Sequence, residues 1–317
     1  MKLIKNLVRI YALTVLISTA WTHGCYAQQQ AMYTQYMFNG LAINPAYAGS
    51  HQTLEFTALA RQQWAGLDGA PSTQTFTAHS PLKNRSIGLG LSVIHDQIGI
   101  TNQFGVYSAY SYRIQFHNKG VLAMGLQAGF TQYQEDLTQL QGSIRDPNDP
   151  NFAQDEVSKF MPNFGAGLYY YTKRFYMGIS SPHIVQIKLD DLEMANDSEA
   201  RQRRQYFYRT GYVFDLSRSV KFKPNLLVKV VEGAPVSADI NLNFLFQEVL
   251  WAGVSYRSFD SFDALLQLNL TEQFSIGYAY DFATTTELRR LHSGSHELML
   301  NYRLKPPRRR MLTPRYF

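Results

Sequence analysis

The sequence predicts an all-β protein, a transmembrane outer-membrane β-barrel of about fourteen antiparallel strands. Three observations carry that prediction. Aromatic residues make up 14% of the 317 positions, with 21 Tyr and 20 Phe, while charged residues make up only 17%, a balance that favours strands. Apolar and polar residues alternate in segment after segment, and no long stretch keeps the 3.6-residue apolar spacing of a helix. Connection lengths also sort by parity: those after even-numbered segments are uniformly short, and every long one follows an odd-numbered segment. A barrel with short periplasmic turns, long external loops and both termini inside has that pattern, whereas a soluble sandwich or propeller has no reason for it. The composition excludes a helical membrane bundle, which needs several apolar runs of about 20 residues. It excludes disorder too, because apolar and aromatic content is ample. The formal charge is +6, but the chain lacks a dense basic stripe, so no nucleic-acid partner is expected.

The first element is an export signal over residues 1–27. Lys2, Lys5 and Arg9 precede an apolar run from Ile10 to Ala20, and Cys25-Tyr26-Ala27 supplies small residues for cleavage after Ala27. The run is too short for a comfortable membrane anchor, and Thr22-His23-Gly24 ahead of Cys25 lacks the aliphatic residue of a lipoprotein signal. Cleavage lowers the formal charge from +6 to +3 and removes the only Cys, so the mature chain has no disulfide. Residues 28–50 follow, rich in Gln, Asn and Tyr and without a single charge. They are too polar for lipid and too aromatic for a free tail. We expect them to fold into the lumen or across the periplasmic mouth as a plug, with Tyr36, Phe38, Asn44, Pro45 and Tyr47 as its candidate residues and Asn44-Pro45 fixing a turn. The alternative is a plain leader into the first strand.

Residues 51–304 then carry the barrel. Strand segments fall near 52–61, 72–80, 87–94, 104–114, 121–134, 162–172, 174–180, 206–215, 220–230, 236–246, 249–257, 262–270, 273–281 and 295–303. The number is even and the lengths suit tilted spanning strands. In 236–246, Val236, Ala238, Ile240, Leu242, Phe244 and Phe246 share one face, and Ser237, Asp239, Asn241 and Asn243 share the other. The pattern repeats in 262–270, 274–281, 87–93 and 122–131. The apolar face suits lipid, with Tyr at strand ends for aromatic girdles, and the small polar face suits a wet or plugged lumen. In 220–230 the second face carries Lys221, Lys223, Asn225 and Lys229, read as a solvated lumen wall in preference to a patch that attracts an acidic ligand or plug. The long connections are expected at 62–71, 95–103, 135–161, 181–205 and 282–294. Residues 305–317 form a basic periplasmic tail. Pro306, Pro307 and Pro314 interrupt any strand there, so the barrel-assembly signal is expected in the last alternating segment and not at Phe317. Arg308, Arg309, Arg310 and Arg315 are the candidate partner-binding residues of that tail, with a free tail as the alternative.

Several motifs together resemble the PorP/SprF family. Gln35-Tyr36-Met37-Phe38-Asn39 and Ile43-Asn44-Pro45-Ala46-Tyr47-Ala48-Gly49-Ser50 look like its N-terminal hallmark. Further matches are Arg61-Gln62-Gln63-Trp64 with Gly69-Ala70-Pro71, His79-Ser80-Pro81-Leu82, Phe160-Met161-Pro162-Asn163-Phe164-Gly165, Gly233-Ala234-Pro235 and Tyr278-Ala279-Tyr280-Asp281. The likeness covers nearly all the mature chain. It implies a barrel of the fatty-acid-transporter type in the Bacteroidetes type IX secretion system and gliding machinery. It also implies a role in secreting or surface-anchoring cargo with C-terminal sorting domains, and partners among periplasmic and outer-membrane secretion components. The tail beyond Tyr302-Arg303 departs from the family's usual ending.

Sites of chemistry are not apparent in the sequence. It has no His-Glu-x-x-His, no Gly-x-Ser-x-Gly and no phosphate-cradling loop. Gly88-Leu-Gly90 and Gly165-Ala-Gly167 begin a dinucleotide pattern without completing it, and alternating Gly on barrel strands explains them better. Asp146, Asn148, Asp149, Asp155 and Glu156 could offer oxygens to Ca²⁺, but their spacing is not that of an EF-hand, so an acidic solvated loop is preferred. No catalytic, metal or cofactor residue is therefore assigned, and no cofactor is expected. The expectation is a non-enzymatic outer-membrane component in contact with the lipid bilayer. The alternative function is a channel or transporter for small or hydrophobic substrates.

Overall fold

Period-two alternation folds into strands that need partners on both edges, and here the edges meet. The computed structural model describes residues 32–117, 119–138, 156–187, 203–258, 260–284 and 293–304. The export signal, residues 28–31, the acidic residues 146–155 and the basic tail 305–317 lie outside the described residues. The strands are β1 (Glu55–Gln62), β2 (Ser72–Pro81), β3 (Ile87–Ile98), β4 (Thr101–Gln115), β5 (Val121–Asp136), β6 (Glu156–Tyr171) and β7 (Phe175–Ser181). They continue as β8 (Gln205–Tyr212, extended by Phe214–Asp215), β9 (Val220–Val231), β10 (Ser237–Phe246), β11 (Leu250–Arg257), β12 (Ser261–Asn269), β13 (Phe274–Ala283) and β14 (Ser295–Arg303). Each pairs antiparallel with its sequence neighbour, and β1 pairs with β14, Glu55 opposite Arg303 and Gln62 opposite His296. The result is a closed fourteen-stranded barrel, with no free edge to cap.

Two details differ from the sequence reading. The connection expected at 95–103 is a tight hairpin instead: β3 runs to Ile98 and β4 starts at Thr101. Gly99, at φ 56°, makes the reversal that a side chain would resist, so polar residues there lengthen the strands beyond the membrane. The eighth strand is interrupted at Val213 without a change of register: Gly211 faces Asn225 and Phe214 faces Phe222, and the Val213 N–H still bonds the Arg174 carbonyl at 2.8 Å. The expected break at Lys173 is present as a turn closed by Thr172 N–H on the Phe175 carbonyl, 2.8 Å.

Outward faces are apolar. Ile240, Leu242, Val254, Leu266, Leu268, Leu298 and Leu300 are all exposed across neighbouring strands, a patch far larger than a water-facing surface tolerates. Rings flank it at both levels. At the end bearing the short turns, Phe175, Tyr212, Phe214, Phe222 and Phe244 contact one another in sequence, with centroids 4.6–6.5 Å apart. At the opposite end, Tyr256 meets Phe262 at 4.7 Å and Tyr280 meets Phe282 at 4.4 Å. This is a lipid belt between two aromatic girdles, and it places the barrel in an outer membrane.

Candidate functional site

The inward faces carry more charge than a small polar wall would. Arg61, Asp239, Asp281, Arg209, Lys223, Arg257 and Glu297 are all buried. What buries them is the chain's own N-terminal segment, residues 32–50, which occupies the lumen. It runs from the loop end, where Tyr33 Oη lies 2.7 Å from Thr75 Oγ1, to the turn end, where Arg113 donates to the Gly49 carbonyl.

Local sequence explains the segment's shape. Asn44 caps a short 3₁₀ turn at Pro45–Tyr47: its Oδ1 accepts from the Ala46 N–H at 2.9 Å, and Pro45 presets the first turn residue. The same Asn44 donates through Nδ2 to the Leu168 carbonyl of β6 at 3.0 Å. Glycines on the wall admit this turn. A Cβ on Gly125 would overlap the Ala46 backbone, and one on Gly167 would overlap the Asn44 side chain. Gly167 is thus a seat for the segment as well as a strand feature, whereas Gly165 faces the Pro182 carbonyl.

Its outer end is held by charge. Thr34 and Gln35 donate their backbone N–H groups to the two Glu297 carboxylate oxygens, both at 2.8 Å. Thr34 Oγ1 donates to Asp281 at 2.8 Å and accepts from Arg61 at 3.0 Å. Arg61 in turn bridges Asp281 at 2.6 Å and Glu297 at 3.2 Å, and Arg257 pairs with Asp239 at 3.2 Å. Charge-assisted bonds of this kind are the strong class.

The middle is held by rings over cations. Arg209 lies 5.2 Å from the Tyr47 ring, 5.1 Å from Tyr169 and 4.8 Å from Tyr176. Lys223 lies 5.3 Å from Phe38, 5.5 Å from Trp251 and 5.8 Å from Tyr176. These are cation–π distances. The solvated wall expected at 220–230 is therefore corrected: Lys223 is fully buried because Phe38 of the segment and Trp251 and Tyr176 of the wall cover it. Burial pushes the Tyr36 phenol well above its usual range, and raises Tyr47 to about 12. Of the residues singled out from sequence, Tyr36, Asn44, Pro45 and Tyr47 are buried and Phe38 is half-buried, all within the lumen. The tail residues Arg308, Arg309, Arg310 and Arg315 lie outside the described residues.

The family model described as type IX secretion system membrane protein PorP/SprF matches residues 25–302. The chain belongs to the PorP/SprF family. Among curated proteins, none matches it. Solved structures similar to this PorP/SprF barrel include the monoaromatic hydrocarbon channel CymD (12% identity, 83% of this chain and 91% of that one, TM-score 0.49). Others are Omp33 of Acinetobacter baumannii (10%, 80% and 98%, 0.46) and a FadL homologue of Pseudomonas aeruginosa (12%, 79% and 89%, 0.41).

Sequence reasoning missed Arg61, Arg257, Glu297 and Arg209 as segment-holding groups. Alternation signalled three of them, since Glu297 alternates with the outward Leu298 and Leu300, Arg257 with Val254 and Tyr256, and Arg209 with Tyr206 and Tyr208, and so each had to face inward. Which inward residues meet across fourteen strands depends on registers that alternation does not encode.

Proposed function

We propose that this chain is a plugged, non-enzymatic outer-membrane component of type IX secretion and gliding, exported through its cleaved N-terminal signal. In this reading it supports the secretion or surface attachment of cargo with C-terminal sorting domains, and is not an open diffusion channel. The observation that carries the proposal is the uncharged segment 32–50 filling the lumen, tied to Glu297, Asp281, Arg209 and Lys223. A lumen filled this way suits a scaffold at the cell surface better than a pore.

The short-turn end is taken as periplasmic. It presents exposed Lys83, Arg85, Lys119, Lys173, Arg174 and Arg218 on four successive turns, with Arg174 paired to Asp215. The Leu304 N–H bonds the Leu54 carbonyl at this end, 2.9 Å, so the tail with Arg308, Arg309, Arg310 and Arg315 starts beside the same rim. Together they suit an acidic surface on a periplasmic secretion component.

Planar-bilayer recording tests the plug. The intact barrel should pass little current, and deletion of residues 31–48 should open a pore in a barrel that still folds. Porin-like conductance by the intact barrel would instead support the channel reading. Pull-down from native outer membranes, with mass spectrometry, identifies the secretion partners.

A further inference from the structure

Where the segment leaves the lumen, three side chains from three places converge. His51 directly follows the segment, Glu55 opens β1, and His79 is on β2 directly opposite Glu55 in register. All three are buried, and each brings one nitrogen or oxygen to within 4.8 Å of the other two. The carboxylate is divided. Glu55 Oε1 accepts from Asn301 Nδ2 at 2.5 Å and from Arg303 Nη2 at 3.3 Å. Oε2 is left to the two imidazoles: His51 Nδ1 contacts it, and His79 Nε2 is 3.8 Å away.

We propose that His51, Glu55 and His79 form a binding site for a Zn²⁺-class divalent cation that staples the base of the lumen segment to the barrel wall. Two imidazoles and one carboxylate are a donor set such cations favour, and a tetrahedral ion spaces its ligand atoms about 3.3 Å apart. The His79–Glu55 separation is already close to that. The direct His51–Glu55 contact opens by roughly an ångström when the ion takes the place of the shared proton. Asn301 and Arg303 orient the carboxylate from behind, as outer hydrogen bonds do at metal sites. A cavity of about 220 Å³, lined by His51, Arg113, Gln115 and Tyr171 among others, adjoins the site at the turn end. It gives the ion a path from the periplasm and a water molecule a place as fourth ligand.

One existing bond opposes the ion. The Gly49 N–H donates to His79 Nδ1 at 3.3 Å, and coordination through Nε2 moves the ring proton onto Nδ1. The segment then exchanges a long hydrogen bond at Gly49 for a coordinate bond at His51, two residues on. Tyr47 walls the site, with its ring centroid 5.7 Å from His51 and 5.3 Å from His79. Metal occupancy is thereby coupled to the Tyr47–Arg209 contact higher in the lumen. The inference goes beyond the proposed function and requires only that the segment sits in the lumen.

The test uses the tag-free mature barrel in detergent, stripped with chelator and titrated with Co²⁺ and then Zn²⁺. One equivalent of Co²⁺ should give the visible absorption of a low-coordinate site, and Zn²⁺ should displace it with micromolar or tighter affinity. His51→Gln should weaken binding at least about tenfold, and His51→Gln with His79→Gln should abolish it. His51 lies outside the strands, so its variant should keep the heat-modifiable mobility of a folded barrel and remain interpretable even if Glu55→Gln does not fold. Failure of the folded wild type to bind either ion at micromolar concentration would overturn the proposal, and so would undiminished binding by the double variant.

Discussion

Replacing Glu297 by Gln should loosen the outer end of the lumen segment without breaking the barrel. The carboxylate accepts the Thr34 and Gln35 N–H groups at 2.8 Å each and Arg61 at 3.2 Å, and Glu297 is fully buried. Gln keeps one acceptor oxygen but turns the other into a donor aimed at a backbone N–H. One charge-assisted bond is lost, worth about 1.5–3 kcal/mol, and Arg61 loses part of its countercharge. The Arg61–Glu297 pair lies within the wall and persists in both seated and released states, so only the lost bond to the segment counts. Applied to the seated-to-released equilibrium, about 1.5–3 kcal/mol raises the released fraction roughly ten- to a hundredfold. The assay is thiol labelling of Met37→Cys, because Met37 is fully buried among segment and wall residues and the sequence holds no Cys after Cys25, which is changed to Ser in every chain compared. Labelling by a water-soluble reagent then reports release. A folded Glu297→Gln barrel that labels no faster than its Glu297 parent would refute the assignment of the network as the segment's anchor.

Three other outcomes are expected. Single cysteines placed in the connections after β5 and β7, at residues 139–155 and 188–202, should react with an impermeant maleimide on intact cells; reaction only after the outer membrane is opened would invert the topology. A chain truncated after Leu304 should still insert as a heat-modifiable barrel, whereas failure to insert would make Phe317 the assembly signal. Burial lowers His183 to about 4 from its usual 6.5, so the unfolded chain takes up the proton first as pH falls. The stability that depends on a neutral His183 is complete above pH 6.5 and is lost between there and about 4, by about 3 kcal/mol. His183→Gln should flatten that part of the unfolding profile relative to wild type, and an unchanged slope would count against it.

The sequence made the wall legible because a barrel strand has only two faces and lipid dictates one of them. Ile240, Leu242 and Phe244 alternate with Asp239, Asn241 and Asn243, and the structure sorts them outward and inward accordingly. Strand ends were less legible. His95 to Ile98 look like loop residues, yet they pair with Thr101 to Phe104, because a strand that projects past the bilayer no longer needs an apolar face. The lumen segment 32–50 was partly legible within the sequence stretch 28–50, whose polarity and aromaticity suit neither lipid nor water. Its contacts were not. Arg209 meets Tyr47 only because β6, β7 and β8 bring Tyr169, Tyr176 and Arg209 to one level, a consequence of stagger that no local pattern records.

An uncharged segment in a charged lumen has a consequence for release. The segment offers no ionised side chain between residues 32 and 50, and it satisfies the wall with backbone N–H groups, hydroxyls and ring faces. The wall charges already pair with one another: Arg61 with Asp281 and Glu297, and Arg257 with Asp239 and Asp260. When the segment leaves, those pairs remain and water enters to solvate them, so no isolated buried charge is created. The costs of release fall on Glu297, which loses the Thr34 and Gln35 N–H groups, on Lys223 and Arg209, which lose the ring faces of Phe38 and Tyr47, and on the apolar contacts of Met37, Leu41 and Ile43. A ligand or partner that displaces the segment therefore needs no charge of its own. It needs aromatic faces for Arg209 and Lys223 and backbone donors for Glu297, a chemistry that another extended, aromatic-rich peptide supplies and a small hydrophobic solute does not.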